Sequence, residues 1–350
     1  MPMLRRSIVE YGKPLCETVI APPVPTGTEV LMRVHHCGVC HSDLHLRDGH
    51  FDIGHGKQLD VTKGRALPFT LGHEIAGEVA ALGPEADGVA IGARRVVYPW
   101  IGCGTCETCA DGEEHLCNSP RQLGIQVDGG YASHVMVPHP RYLLDASGIE
   151  PALAGALMCS GLTAFSALKR LGGLARRGPV LIVGLGGVGM MGLAFARLLG
   201  LPAPVVADVS EAKRAAALAA GAVAAFDPAD SGARKALLKQ TGGVHGAVDF
   251  AGAESSLNFA QGALRKGGKA IVVGLIGGSF EMPIPYFPMR AIGIEGSYVG
   301  SLGEAREMLD LVRKGPFAAI PLAHRPLAEA EAALADLAAG RVFGRVILDA

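Results

Sequence analysis

The sequence predicts an α/β protein in two parts, a mainly β N-terminal part followed by a doubly wound parallel sheet. Short β-rich segments separated by turn-forming residues occupy the first 150 residues, and Glu29–Val34 and Ile75–Leu82 are the clearest of them. From about Pro151 onward, alanine-rich helical runs alternate with short apolar strands. This alternation is typical of a parallel sheet that is covered by helices.

The elements of the second part follow from its periodicity. The predicted strands are Val180–Val183, Val205–Ala207, Ala247–Phe250 and Ala270–Val273, and the predicted helices are Met190–Leu199, Glu211–Ala220, Ser301–Lys314 and Leu327–Ala339. A closing strand at Val342–Leu348 is expected to rejoin the first part. We therefore expect domains at residues 1–150 and 151–297, with residues 298–350 returning to the first domain.

Composition and charge disfavour some classes of function. Of the 350 residues, 49% are hydrophobic and 19% are charged, which is ample for sizeable cores. The 32 basic and 33 acidic side chains leave a net charge of −1, so no overall field would attract nucleic acid or an anionic membrane. The most apolar stretch, Pro179–Leu201, contains six glycines and Arg197, and we interpret it as a buried strand, turn and helix.

The eight cysteines bear on the compartment of the protein. Residues Met1–Glu10 lack the long apolar stretch of a signal peptide, so we expect a cytoplasmic location. A disulfide framework would need an oxidising compartment and is usual in small secreted domains. We therefore expect most of these cysteines to be thiols or metal ligands.

Four cysteines form a compact cluster in the sequence. Cys103, Cys106, Cys109 and Cys117 are separated by two, two and seven residues. Thiolates from one short loop can close a tetrahedron around Zn²⁺ and leave no position for substrate, so we expect a structural zinc site. Paired disulfides and an iron–sulfur cluster are the alternative interpretations.

A glycine-rich turn follows the first strand of the second part. The turn reads Gly184-Leu185-Gly186-Gly187-Val188-Gly189 and leads into a helix of small residues. In this context glycines permit a tight turn and a close approach of the backbone to a pyrophosphate, and the helix N-terminus offers free N–H groups to the anion. A role in packing alone is the alternative.

An acidic residue at the end of the next strand strengthens the dinucleotide interpretation. Asp208 lies nineteen residues beyond Gly189. A carboxylate there can accept hydrogen bonds from the adenosine ribose and would repel a 2′-phosphate, so NAD is favoured over NADP. The alternative is that Asp208 caps the following helix. Lys213 could reach the same ribose or be solvated, and the turn containing Val273 and Leu275 is expected to line the cofactor cleft.

Three widely separated positions carry further ligand chemistry. These are Cys40 in the segment Gly38–Asp43, His73 after Gly72, and Cys159 in the segment Met158–Gly161. Together they suit an open zinc site, in which three protein ligands leave a fourth position for water or substrate. Taken singly, each cysteine could be a small buried hydrophobe and the histidine a hydrogen-bonded core residue.

Together these motifs resemble those of the zinc-dependent medium-chain alcohol dehydrogenases, over essentially all 350 residues. The segment Gly72–Val79 is similar to the zinc signature of that family, the four-cysteine segment to its structural zinc loop, and Gly184–Gly189 with Asp208 and Lys213 to its NAD site. The resemblance implies a mainly β GroES-like catalytic domain and a Rossmann NAD-binding domain. It also implies two zinc ions and NAD, a small alcohol, aldehyde or ketone as substrate, and a homodimer or homotetramer.

The resemblance assigns roles around the catalytic zinc. Cys40, His73 and Cys159 would bind the ion, and Asp43 would orient His73 through a hydrogen bond. Glu74 would lie beside the ion and could exchange with water. Zinc coordination lowers the pKa of a bound alcohol, which prepares it to release hydride to nicotinamide.

Other roles concern the proton and the cofactor. Ser42 would take the proton of the alcohol and pass it through the nicotinamide ribose to His45, although His45 could also be an ordinary polar residue of the cleft wall. Thr163 would pack on the nicotinamide ring and Arg345 would reach the pyrophosphate, with surface or capping roles as alternatives. Trp100 is expected on a strand that approaches the zinc, where its ring would form part of the wall of the substrate pocket.

The sequence departs from the family between two of the metal ligands. Thirty-two residues separate Cys40 from His73, and residues 46–68 look like a long loop that could cover the substrate entrance or contact a partner. We expect His50 and His55 in this loop to be solvated. Cys16 and Cys37, which match no ligand position, are expected to be packed residues.

The leading interpretation is an NAD-dependent alcohol dehydrogenase acting on primary or secondary alcohols. Within the same family, a polyol, threonine or thiol-adduct dehydrogenase differs only in the lining of its pocket. A zinc-free quinone reductase is disfavoured because it has no need of the three dispersed ligands. A zinc-ribbon module that binds nucleic acid would call for a basic surface and one zinc rather than two.

Overall fold

A computed structural model describes residues 2–318 and 320–350 of the chain, whose strands form two large sheets and two small ones. The first part has strands β1 (Met3–Ile8), β2 (Cys16–Ile20), β3 (Val30–Gly38), β4 (His50–Asp52), β5 (Gln58–Asp60), β6 (Phe69–Thr70), β7 (Glu74–Leu82), β8 (Arg94–Val97), β9 (His134–Val137) and β10 (Leu143–Leu144), with helices α1 (His41–Asp48) and α2 (Glu107–Ala110). The prediction of a mainly β N-terminal part is therefore confirmed.

The rest of the chain alternates helix and strand. Its helices are α3 (Pro151–Ala156), α4 (Leu162–Arg170), α5 (Gly187–Leu198), α6 (Glu211–Ala219), α7 (Ala233–Thr241), α8 (Glu254–Ala263), α9 (Tyr286–Arg290), α10 (Leu302–Lys314) and α11 (Ala330–Ala338). Its strands are β11 (Leu181–Val183), β12 (Val205–Ala207), β13 (Ala224–Phe226), β14 (Val244–Asp249), β15 (Leu264–Val272), β16 (Gly293–Gly296), β17 (Leu322–Pro326) and β18 (Arg345–Asp349).

Strands β11 to β16 form one parallel sheet in the order β13-β12-β11-β14-β15-β16. In order of sequence this is the 3-2-1-4-5-6 arrangement of the Rossmann fold. The order reverses between β11 and β14, and ligands of such sheets bind in the crevice at the carboxyl ends of these strands. The predicted doubly wound sheet is confirmed, and its crevice lies after Val183 and Asp249.

The end of the chain returns to the first part. Strand β18 pairs antiparallel with β3 and parallel with β17, and so completes a sheet in the order β10-β8-β7-β3-β18-β17, with β9 also pairing with β3. A closing strand had been predicted at Val342–Leu348, but the regular strand begins three residues later, at Arg345. This return places Arg345 next to Glu74, the first residue of β7, in the candidate site.

Helices α3 and α4 form one nearly continuous apolar run from Pro151 to Arg170. The run is long and apolar enough to span a membrane by length and composition alone, but 94% of its most apolar window is buried inside the fold. Helix α3 contacts both β3 and β7. The run is therefore a core element joining the two parts of the molecule.

Two expectations about the first part are corrected by the structure. The segment between α1 and β6 is not a plain loop, because β4 and β5 pair into a short antiparallel hairpin. Cys37 is buried as expected, but Cys16 is exposed because β2 is an edge strand with few buried side chains.

Candidate active site

Three side chains from separate parts of the chain meet at the junction of the two sheets. Cys40 lies between β3 and α1, His73 immediately precedes β7, and Cys159 lies in a π-helical turn, Leu157–Gly161, between α3 and α4. Their ligand atoms all lie within 4.8 Å of one another, and the two Sγ atoms are 4.0 Å apart. The structure therefore brings together the three residues predicted from the sequence.

The donor set fits a zinc ion. With Zn–S bonds of about 2.3 Å, two thiolates at a tetrahedral angle lie about 3.8 Å apart, close to the separation of Cys40 and Cys159. All three residues are buried. Neither ring nitrogen of His73 hydrogen-bonds to any residue that the structure describes. A buried imidazole without partners costs free energy, and a metal bond at Nε2 would remove that cost.

Asp43 contacts two of these three residues, Cys40 and His73. Its Oδ2 accepts hydrogen bonds from the backbone N–H of Cys40 at 2.9 Å and from the hydroxyl of Tyr131 at 2.8 Å. Its Oδ1 lies 3.4 Å from Nδ1 of His73. A carboxylate at Nδ1 leaves Nε2 to face a metal, which is the usual arrangement of a zinc-bound histidine. At 3.4 Å this contact does not meet hydrogen-bond geometry, so the orienting role of Asp43 stays a prediction, and Tyr131 had no sequence signal.

Glu74 and Arg345 form a buried ion pair next to the cluster. The Nε of Arg345 donates to Oε2 of Glu74 at 2.9 Å, and a second guanidinium nitrogen contacts Oε1. The backbone N–H of Ser160 also donates to Oε1, at 3.3 Å. Burial raises the pKa of Glu74, while the adjacent guanidinium favours the ionised carboxylate. The sequence placed Glu74 beside the zinc but did not reveal its partner, which is 271 residues away.

Helix α1 presents the predicted proton-transfer residues. Ser42 and His45 are three residues apart on this helix and therefore share one face. The imidazole of His45 stacks on Phe51 of β4, with ring centroids 4.3 Å apart. Burial lowers the pKa of His45, so the ring is neutral at pH 7 and able to accept a proton. Phe51 was missed by sequence reasoning, because nothing in the segment indicated this contact.

Aromatic side chains form a wall over the cluster. The ring centroid of Trp100 lies 5.3 Å from that of His73 and 5.7 Å from that of Tyr298. Trp100 is held by a hydrogen bond from its Nε1 to the carbonyl of Met158, at 2.8 Å. It follows the end of β8 rather than lying on a strand, which corrects the expectation. Thr163 is buried in the first turn of α4, four residues beyond Cys159.

The four remaining clustered cysteines also converge. The Sγ–Sγ distances are 3.5 Å for Cys106–Cys109, 3.7 Å for Cys106–Cys117 and 4.0 Å for Cys103–Cys109. These separations are too long for disulfides, whose bond is about 2.05 Å, and match a tetrahedral ZnS₄ cage. Backbone N–H groups of Cys103 and Ser119 donate to the sulfur of Cys117, as a thiolate requires.

The glycine-rich turn has the geometry expected of a phosphate site. Gly184 adopts φ of +85°, a conformation that favours glycine. A Cβ at Gly189 would lie 1.8 Å from the carbonyl oxygen of Gly184, so only glycine allows this packing of α5 on β11. A Cβ at Gly186 would meet nothing within 4 Å, which leaves space for a ligand. Gly187 and Val188 begin the first turn of α5, whose N–H groups face this space.

Asp208 is tied to the same turn. Its Oδ2 accepts a hydrogen bond from the backbone N–H of Leu185 at 2.7 Å, and its Oδ1 accepts one from Ser210 at 2.8 Å. The residue that caps α6 is Ser210, whose hydroxyl accepts from the N–H of Lys213. The alternative that Asp208 is the helix cap is therefore wrong. Lys213 lies in the first turn of α6, at the same end of the sheet.

The remaining predicted cofactor residues lie across the crevice. Val273 directly follows β15, and its N–H donates to the carbonyl of Asp249 at 2.9 Å. Leu275 is half exposed two residues further on. The guanidinium of Arg345 reaches this region as well, because a Cβ at Gly187 would lie 3.3 Å from its Nη1. Arg345 is thus placed between Glu74 and the phosphate turn.

The hairpin β4–β5 extends from the first part to the second. The ring Nε2 of His55 lies 2.9 Å from the hydroxyl of Ser279, and the N–H of Gly278 donates to the carbonyl of Asp52 at 3.3 Å. His50 is partly buried and contacts the backbone of Asp48. His55 is exposed, as expected of a solvated loop histidine, although its ring contacts Ser279, whereas His50 is only partly exposed; neither belongs to a group of potential metal ligands among the described residues.

Two family models match the chain. The model described as "Alcohol dehydrogenase GroES-like domain" matches residues 26–147, and the model described as "Zinc-binding dehydrogenase" matches residues 187–314. The first covers the four-cysteine segment with two of the three dispersed ligands, and the second begins in the glycine-rich turn. The expected GroES-like domain is thereby confirmed.

Individual relatives extend over nearly the whole chain. The chain is 36% identical to an NAD-dependent alcohol dehydrogenase of Saccharolobus solfataricus over 97% of its own length and 98% of that protein. Its structure superposes on the alcohol dehydrogenase of Aeropyrum pernix with a TM-score of 0.88, 28% identity and coverage of 99% and 100%. The superposition on a cobalt- and zinc-bound thermostable alcohol dehydrogenase from Pyrobaculum aerophilum has a TM-score of 0.87, with 25% identity and full coverage of both chains. This chain therefore belongs to the zinc-binding medium-chain alcohol dehydrogenases.

Proposed function

We propose that this protein is an NAD-dependent alcohol dehydrogenase that interconverts a primary or secondary alcohol and the matching aldehyde or ketone. The observation that carries the proposal is the convergence of Cys40, His73 and Cys159 on one buried point. Three protein ligands leave a position for substrate, as catalytic zinc requires. A second observation is that Arg345 lies beside both Glu74 and Gly187, which brings the cluster and the dinucleotide turn close together.

The bound groups would supply the reactive chemistry. Zinc held by these three ligands lowers the pKa of an alcohol, and NAD accepts the hydride. Asp43 holds His73 with Nε2 directed at the ion. Glu74, neutralised by Arg345, adds little net charge beside the ligands and so preserves the electrophilic character of the site.

The proton leaves along helix α1. The hydroxyl of Ser42 would take the proton of the alcohol at Oγ and release its own, and the imidazole of His45 would be the final proton acceptor. Because burial lowers the pKa of His45, this ring stays unprotonated at neutral pH and remains a competent acceptor. Stacking on Phe51 fixes the ring in the cleft.

The cofactor residues support NAD. Gly184, Gly186, Gly187, Val188 and Gly189 form the pyrophosphate turn, with the open space over Gly186 as the cradle. Asp208 projects from the end of β12 with its carboxylate already anchored, and its charge would repel a 2′-phosphate. Lys213, Val273 and Leu275 would complete the adenosine and nicotinamide sides of the site. Thr163 would pack on the nicotinamide and Arg345 would bind the pyrophosphate.

Trp100 and Tyr298 give the substrate pocket an aromatic wall, which favours small apolar alcohols. The hydroxyl of Tyr298 donates a hydrogen bond to Oε1 of Gln122 at 2.8 Å, which fixes this ring in the wall. A polyol or threonine-type substrate is the alternative within the family. A panel of small, branched, cyclic and aromatic alcohols, assayed by NADH formation, would distinguish these substrate classes.

The organisation of the chain is part of the proposal. Residues 1–150 form the catalytic domain with the structural zinc loop, residues 151–297 bind NAD, and residues 298–350 return to the catalytic domain. The pairing of β18 with β3 supports that return. We further propose a cytoplasmic homodimer or homotetramer. None of the eight cysteines is in a disulfide, which suits a reducing compartment, and the edge strand β16 suits symmetric pairing.

Replacement of one metal ligand tests the catalytic assignment. We expect His73→Ala to lower the zinc content from two ions per chain to one, and to lower the rate of NADH formation by about a thousandfold or more. NAD binding, measured by calorimetry, should persist because the cofactor turn is unchanged. The matched control is His134→Ala, which replaces a histidine of β9 that has no role in the proposed site. Normal turnover by the His73 variant would refute the proposal.

A further inference from the structure

A third group of side chains that could bind a metal lies on the sheet that contains β3, β18 and β17, away from the two groups that contain cysteines. It consists of His36 on β3, His324 on β17 and Asp349 on β18. One nitrogen of each imidazole and a carboxylate oxygen all lie within 4.8 Å of one another. We propose that these three residues form a third metal site, which binds a borderline divalent ion such as Zn²⁺ independently of the catalytic reaction.

The strand register brings the three side chains together. Strand β18 lies between β3 and β17, and Asp349 is directly opposite His36. His324 is opposite Ile347, two residues before Asp349 and therefore on the same side of the strand. Because the ladder hydrogen bonds fix these positions, little conformational entropy remains to be lost when an ion binds.

The side-chain geometry points the donor atoms at a common position. Nδ1 of His36 lies 2.7 Å from Oδ1 of Asp349, and Nδ1 of His324 lies 3.1 Å from both carboxylate oxygens. The two imidazole rings are edge to face, with centroids 5.8 Å apart. An ion with bonds of about 2.0–2.2 Å can be accommodated by small rotations that move each Nδ1 away from the carboxylate.

The chemistry of this donor set selects the class of ion. Two imidazole nitrogens with one carboxylate oxygen suit Zn²⁺, Ni²⁺, Co²⁺ or Cu²⁺ rather than Mg²⁺ or Ca²⁺, which prefer oxygen ligands. The side chains are 25%, 44% and 42% exposed for His36, His324 and Asp349, so the site is open to solvent and water can complete the coordination.

The neighbouring charges do not compete for this position. His35 faces away from the group, with its Nε2 3.8 Å from the carboxylate of Glu78. The side chain of Asp349 is in contact with both imidazoles and is partly exposed, so an ion can reach its carboxylate from the solvent.

An ion at this position would join the two ends of the chain. His36 belongs to the first part, whereas His324 and Asp349 belong to the returning segment that carries Arg345. Since the unfolded chain does not hold these ligands together, the ion would bind the folded state and raise the melting temperature.

The test is a titration of the holoenzyme, with both cysteine sites filled, against Zn²⁺ in calorimetry, followed by elemental analysis. We expect one further ion per chain in the unaltered protein and a higher melting temperature in its presence. His324→Gln and Asp349→Asn should each weaken the binding of this ion by about tenfold or more, while alcohol oxidation stays unchanged.

The matched control is His245→Gln, which removes a partly exposed histidine beside Arg265 in the NAD-binding half. This variant should bind the third ion as the unaltered protein does. The proposal is overturned if the unaltered protein takes up only two ions, or if both cluster variants bind the third ion with undiminished affinity. Neither outcome depends on the catalytic assignment, since turnover and zinc at the cysteine sites are measured separately.

Discussion

Arg345 links the metal cluster to the cofactor turn through one side chain. Its Nε binds the carboxylate of Glu74, and its Nη1 lies beside the position that a Cβ at Gly187 would occupy. A buried charge is stable only when it is paired, so Glu74 and Arg345 depend on each other. A cofactor phosphate near Gly187 would add a second anion to the same guanidinium.

Asp208 illustrates how one carboxylate can serve both structure and specificity. Its two oxygens accept backbone hydrogen bonds from Leu185 and Ser210, which fix the glycine-rich turn relative to α6. The same negative charge faces the site where the adenosine ribose of a dinucleotide is expected. A substitution that removes the charge of Asp208 but keeps the shape of its side chain separates its role in the turn from its role in cofactor specificity.

We predict that Asp208→Asn lowers the preference for NAD over NADP by about tenfold or more, because the repulsion of a 2′-phosphate is lost. The amide oxygen can still accept one backbone hydrogen bond, so the fold should persist. The measurement is the ratio of kcat/KM for the two cofactors. Asp230→Asn, which alters an exposed aspartate in the turn between β13 and α7, should leave the ratio unchanged. An unaltered ratio in the Asp208 variant would mean that this residue only shapes the turn.

Residues with a distinctive local motif were the ones that the sequence could identify. Cys40, His73 and Cys159 were proposed from such motifs, and the fold brings them together. Tyr131 and Phe51 were not predicted, because their contacts depend on how distant segments pack and aromatic residues are common in any core. The Glu74–Arg345 pair was missed for the same reason.

At the scale of elements, the π-helical turn between α3 and α4 explains how Cys159 reaches the cluster. The turn spans Leu157–Gly161 and interrupts an otherwise regular helical run. Such turns widen the backbone and are frequent at functional sites. In the same turn the N–H of Ser160 donates to Glu74, so the interruption supplies a metal ligand and a partner for the neighbouring carboxylate.

The four-cysteine segment is an element with very little regular structure. Its helix α2 has four residues, and none of them is buried. Without an apolar core of its own, the segment needs another source of stability, and a metal cage supplies it. The contact of Gln122 with Tyr298 and with the carbonyl of His115 connects this lobe to the wall of the substrate pocket.

We predict that Cys109→Ala removes the structural zinc and lowers the melting temperature by at least about 5 °C, because the lobe loses the ion that orders it. Zinc content should fall from two ions per chain to one. The control is Cys16→Ala, which alters an exposed cysteine on β2 and should change neither quantity. A Cys109 variant with full zinc content and an unchanged melting temperature would contradict the assignment.

Helices with clear periodicity and strands made only of apolar residues were predicted well, whereas strands that contain polar residues or glycines were not. Helices α5, α6 and α10 and strands β11 and β12 lie within a few residues of their predicted positions. The hairpin β4–β5 was predicted to be a loop because its two short strands contain polar residues and so lack the continuous apolar run that marked β11 and β12. Strand β16, with two glycines among four residues, gave no strand signal either.

At the scale of the whole molecule, the two halves are joined at several points around the cleft. The return of β18 carries Arg345 to Glu74, and the hairpin carries His55 to Ser279. The buried run Pro151–Arg170 connects the sheets through the core. Catalysis by hydride transfer requires the cofactor and substrate sites to face each other closely, and these connections define that geometry.

The parallel sheet ends in a strand that has a partner on one side only. Strand β16 pairs with β15, and its other edge is unpaired among the described residues. The segment before it exposes large apolar side chains, with Ile284 80% exposed and Met289 68% exposed. An unpaired strand edge next to exposed apolar side chains favours association. A second copy of the chain, related by a two-fold axis, would cover both features.

We predict that the protein sediments as a dimer or a larger symmetric oligomer at micromolar concentration, and that the double variant Ile284→Glu, Met289→Glu shifts it to a smaller species. Two buried carboxylates facing their own symmetry copies would cost several kcal/mol, which is enough to dissociate a typical interface. Analytical ultracentrifugation measures the change. Val24→Glu, at an equally exposed apolar residue of the catalytic half, is the control and should leave the mass unaltered. If the unaltered protein sediments as a monomer, the edge of β16 is not an interface, and its apolar neighbours require another explanation.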